Sequence, residues 1–127
     1  MSADVSAAPP RPHPEPVPPK HARRTATVRL RDALMAVGDW HGQILTHSER
    51  PWTSITFSGT SHSLALLFAG DEAVAAGERF VEALGEHEFS IPGQLVADAA
   101  IREVEHRLLP APRMVVQSQI LMLRDGD

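Results

Sequence analysis

The chain has 127 residues, no cysteine, 43% hydrophobic and 22% charged residues, and a formal net charge of −4. This excludes disulfides and thiolate chemistry, leaves no apolar run near the ~20 residues a membrane helix requires, and offers no clustered cations to grip a phosphate backbone. The expectation is a soluble, cytoplasmic protein that binds neither nucleic acid nor membrane, and the first 30 residues lack the apolar stretch of a secretory signal.

Charge and proline divide the chain. Residues 1–24 hold Arg11, Lys20, Arg23 and Arg24 against Asp4 and Glu15, a net of +2, while the remainder sets 8 arginines against 14 acids, a net of −6. Seven of the 11 prolines crowd the same stretch, a density that blocks helix and sheet and favours polyproline II. Residues 1–24 therefore read as a disordered Pro-rich tail, with docking into an aromatic-lined groove as its functional alternative. Residues 25–127 read as one α+β domain.

The first ordered element is expected over Thr27–Val37, because Leu30, Ala33, Leu34 and Val37 recur at helical spacing and Thr27 can cap the free amides. Gly38 and Asp39 end it, Trp40–His47 follows as a strand, and Ser48–Pro51 turns the chain. Trp52–Phe68 then reads as a β-hairpin about a turn at Gly59. A two-residue turn there sets Phe57 across from His62 and Ile55 across from Leu64. Ile55, Phe57, Leu64, Leu66 and Phe68 form a greasy face, and Ser54, Thr56, Ser58, Ser61 and Ser63 a hydroxyl face.

The clearest helix is Asp71–Leu84, with Ala73, Val74, Gly77, Phe80, Val81 and Leu84 on one stripe and Gly85 as a left-handed terminator. Gly77 on that stripe reads as a packing residue that lets a strand come close. A short strand is expected over Glu86–Ile91, then a turn at Pro92-Gly93. Beyond it two patterns compete. Ala97, Ile101, Val104 and Leu108 fit a helix, whereas Val104, His106 and Leu108 alternate with charged neighbours ahead of Leu109-Pro-Ala-Pro112 and fit a long hairpin closed by Met114–Leu123, which is preferred. The fold class is α+β in two layers, an antiparallel sheet of four to six strands against two or three helices.

Chemistry is sparse. His41, His47, His62, His87 and His106 fall in the folded region, but no zinc signature spaces them, and His41 and His47 sit about 20 Å apart on an extended strand. No metal and no cofactor are expected. The serines beside His62 point to the opposite face of a strand, so no nucleophile and base pair up and no catalytic residue is assigned. Arg50 and Arg113, in Pro-flanked positions, and His62 and His87, near acids, are the candidate ligand-binding residues. Trp40, Trp52 and Leu67 are the candidate interface. The sequence thus favours a non-enzymatic binding or assembly module acting as a homodimer, with a small ligand carrier or enzyme holding a pocket between sheet and helices as the alternative.

Overall fold

A computed structural model describes residues 20–124, with side chains from residue 24 onward. The expected tail thus lies, up to residue 19, outside the described residues. Ala26, Leu30 and Leu34 are buried at successive helical turns and carry helix α1, Lys20–Val37, farther back than the sequence implies. Thr27 is interior to that helix and does not cap it. The helix closes through Asp39 and Trp40, both left-handed at φ 55° and 62°, with the Trp40 amide donating to the Met35 carbonyl, the wrapped geometry that satisfies last-turn carbonyls. Trp40 is therefore an exposed turn residue, and the strand expected to start there begins at Gln43.

Strand β1, Gln43–Thr53, runs straight through Ser48–Pro51, where a turn was expected. It is an edge strand, in a sheet of order β1-β2-β4-β3, and an edge tolerates the amide that proline lacks. The chain reverses at Ser54–Phe57, where the Ser54 amide donates to the Phe57 carbonyl and the Phe57 amide to Ser54 Oγ. Strand β2, Ser58–Ala69, returns with Thr53 opposite Ser58 and Trp52 opposite Gly59. Ile55 and Phe57 are consequently exposed in the loop, and His62 faces Glu49 where Phe57 was expected. Gly59 is a strand residue. A Cβ there would land on the Met122 carbonyl oxygen, so glycine is required by the close passage of the neighbouring strand.

Helix α2, Asp71–Ala83, buries Ala73, Val74, Ala76, Gly77 and Phe80 as the stripe implies. A methyl at Gly77 would press the Phe68 ring at 2.9 Å and the Met114 sulfur at 3.0 Å, which makes this glycine a contact point between α2 and the sheet. The helix ends in a 3-10 turn, Leu84–Glu86, that contains Gly85 without a left-handed backbone. The strand expected over Glu86–Ile91 does not form. Ile91 makes only an isolated bridge to Gln94 across Pro92 and Gly93, although Ile91 is buried and Phe89 packs against the core.

Strands β3, Gln94–Arg107, and β4, Arg113–Arg124, form the long hairpin. Two irregularities in β3, at Val96/Asp98 and Ile101/Glu103, each insert a residue. Val96, Ala99, Ile101 and Val104 therefore share one face at spacings of three, two and three, and that stretched alternation is what imitates a helix. The result is a four-stranded antiparallel sheet with two helices. Both helices pack on the side of Leu64, Leu66, Phe68, Met114, Val116 and Ile120, which with Leu30, Leu34 and Phe80 make the core. The opposite side, bearing Ser61, Ser63, Leu67, Val115 and Gln117, carries no helix among the described residues. No described helix is long and apolar enough to cross a membrane.

Candidate functional site

Antiparallel register brings three ligand-type side chains together beneath α1. Glu49 pairs directly with His62, and His47, two residues earlier on β1, projects from the same face. His47 Nε2 and His62 Nδ1 lie 2.9 Å apart, with ring centroids 5.1 Å apart. Helix α1 supplies the flanking polar groups. Thr27 Oγ1 donates to Glu49 Oε2 at 3.2 Å, and Arg31 Nη1 stands 3.3 Å from His47 Nδ1.

Arginine can only donate, so this contact fixes the tautomers. His47 Nδ1 accepts from Arg31, His47 Nε2–H donates to His62 Nδ1, and His62 Nε2 carries the remaining proton. That N–H is buried with no partner among the described residues, in a residue only 1% exposed. Burial holds the His62 pKa down at about 4, with Glu49 pulling it up and His47 adding to the lowering. Burial likewise lowers His47, with Glu49 opposing and Arg31 assisting. Both imidazoles are neutral near pH 7 and each keeps one lone pair. The ligand atoms of His47, Glu49 and His62 all lie within 4.8 Å of one another.

A cavity of about 360 Å³ opens beside the cluster, lined by Thr27, Glu49, Trp52, Thr60, His62 and Arg124 among others. Of the four expected ligand-binding residues, His62 alone lines it. Arg50 is exposed opposite Ser61. His87 is exposed with its ring edge-on to Phe89 at 4.7 Å. Arg113 is exposed at the other end of the sheet, opposite Ala69 and Arg107. Of the expected interface residues, Trp40 is exposed after α1, Trp52 is half-buried beside the cavity, and Leu67 is half-buried on the helix-free side.

Sequence reasoning missed His47 and Glu49 because a turn at Gly59 gave His62 the wrong partner and a turn at Ser48–Pro51 removed Glu49 from any strand. The signal was His47-x-Glu49, two ligand types at strand spacing, which shares a face only if β1 continues through Pro51. The expectation of no metal rested on the missing zinc signature and on the distance from His41 to His47; it did not weigh His47 with His62, which the structure brings together.

No protein-family model matches the chain, and no curated protein matches it. A chain in the solved virion of a native gene transfer agent (GTA) particle is similar in fold, with a TM-score of 0.54 at 12% identity, covering 80% of this chain and 93% of that one.

Proposed function

We propose that this protein is a non-enzymatic assembly subunit that associates with further copies of itself, a homodimer being the smallest such unit. The observation that carries this reading is the tip of the β3–β4 hairpin, where Leu108 is 69% and Leu109 79% exposed. Every residue from Arg102 to Ala111 is exposed, so this end of the hairpin stands clear of both helices. Large apolar side chains grouped at a projecting tip mark a contact surface, and burying each leucine contributes roughly 1.5–3 kcal/mol toward the cost of association. The edge of β3 and the helix-free sheet side, with Leu67 and Val115, offer further area to a neighbouring copy. The similarity in fold to a chain of a virion particle supports the same reading.

Sedimentation velocity of the full chain tests it. The expected result is a dimer or larger species, dissociated by the paired changes Leu108→Asp and Leu109→Asp with an unchanged far-ultraviolet spectrum. A strict monomer at high concentration removes the proposal. A second reading, a small-ligand carrier, is favoured by the cavity beside His62, and a ligand screen by thermal shift, repeated on Thr60→Trp to fill that space, addresses it.

A further inference from the structure

We propose that His47, Glu49 and His62 form a three-ligand site for a divalent transition-metal ion of the imidazole-binding class, with the remaining coordination position supplied from the adjacent cavity. The donor set is His47 Nε2, His62 Nδ1 and one Glu49 carboxylate oxygen, two neutral imidazoles and a carboxylate, a combination suited to zinc and its neighbours. This inference does not rest on the assembly reading.

Geometry carries the site. All three residues stand on paired strands, so their spacing is fixed by backbone hydrogen bonds and not by a mobile loop. An ion about 2.0–2.1 Å from each nitrogen holds them about 3.3 Å apart in a tetrahedral shell. They already stand 2.9 Å apart, so their separation needs to grow by only a fraction of an ångström, while each ring turns to aim its lone pair at the ion and not at the other ring. Thr27 Oγ1 holds Glu49 Oε2, leaving Oε1 to turn toward the histidines, an outer contact of the kind that orients ligating carboxylates. Glu49 and His62 both line the cavity, so water from it completes the shell.

The proton balance is closed within the site. The ion takes the lone pairs of His47 Nε2 and His62 Nδ1, and the proton that bridged them moves to His47 Nδ1. No proton is released overall. That nitrogen then becomes a donor and no longer accepts from Arg31, whose exposed side chain must swing into solvent. Arg31 therefore opposes metal binding twice, by its charge and by the tautomer it selects, while Glu49 favours it.

The test uses tag-free full-length protein stripped with chelator, titrated with zinc by calorimetry and with cobalt by visible absorption. One equivalent should bind, with cobalt bands of a four- or five-coordinate site. Glu49→Gln and His47→Gln, both at positions with solvent access, should each weaken binding at least about tenfold. Arg31→Gln should strengthen it, a gain that a nonspecific surface histidine would not give. Absence of binding at millimolar zinc overturns the proposal. So does binding that survives the His47→Gln, Glu49→Gln double variant, which would place the ion on His41, His87, His106 or the residues before the domain.

Discussion

The two hairpins of this sheet are built from the same topology and treat their inward faces in opposite ways. In β3–β4 the helix-facing row of β4, Met114, Val116, Ser118, Ile120 and Met122, is buried throughout and almost wholly apolar. In β1–β2 the row is apolar only from Leu64 to Phe68 and then changes to His62, Thr60 and Ser58, opposite Glu49, Pro51 and Thr53. An apolar row is stabilised by area alone and needs no partner choice. A buried imidazole must have each nitrogen matched, and here one is not. The first hairpin thus spends stability on a polar cluster, and the second supplies the platform that allows it.

The largest effect belongs to the platform. Phe80 of α2 is fully buried and packs on Phe68 with ring centroids 5.7 Å apart, at the meeting of α2 with β2 and β4. Phe80→Ala should cost about 3–5 kcal/mol in chemical denaturation. A loss below about 1 kcal/mol, the scale of a surface change, would mean that the core does not run under both hairpins.

Acid should act on the other hairpin. His62 is held neutral to about pH 4 in the folded protein, against 6.5 for the free side chain. Between these values the unfolded chain takes up a proton that the folded chain refuses, so stability is full above pH 6.5 and falls as pH drops toward 4. Glu49 pulls against the shift while His47 adds to it, and the cavity beside the ring lets some solvent near, so the loss is about 2 kcal/mol and not the larger figure of an isolated buried group. Denaturant midpoints in chelator at pH 7 and pH 4.5, for the wild type and for His62→Gln, measure it. Equal pH slopes for the two proteins would remove His62 as the cause.

Gly59→Ala probes the joint between the hairpins, since β2 pairs with both β1 and β4 at this residue. The added methyl meets backbone on β4, which cannot yield as a side chain can, and should cost about 1–3 kcal/mol. Amide exchange should show the loss at Trp52, Thr53 and Leu123 before it reaches the core. Uniform loss across the sheet would contradict a local joint.

What the sequence conveys differs between the same two regions. The stripe of α2 and the strand character of Met114–Leu123 were legible because burial there is one-sided and regular. The β3 segment was half legible, since its two bulges convert a period of two into spacings that also suit a helix. The β1–β2 register was not legible. Ile55 and Phe57 alternate like strand residues yet occupy the loop, Pro51 looks like a breaker yet sits on an edge, and Gly59 looks like a turn yet answers to a neighbouring backbone. Each misleading residue is explained by a strand far away in sequence, and local pattern carries no record of it. The histidine cluster depended on that register and was hidden with it.

The smallest effect on folding should fall at the projecting tip, and there the smallness is itself informative. Leu108 and Leu109 lie beyond the last β3–β4 pair, Arg107 with Arg113, and both are largely exposed. Replacing either by Asp should change monomer stability by less than about 0.5 kcal/mol. The same change places a charge in any surface that buries the tip and should weaken self-association at least tenfold, about 1.4 kcal/mol. Sedimentation and denaturation on one pair of samples separate the two quantities. A tip that lowered stability without altering association would belong to the fold, and the contrast between a packing hairpin with a docking end and a hairpin with a polar site would fail.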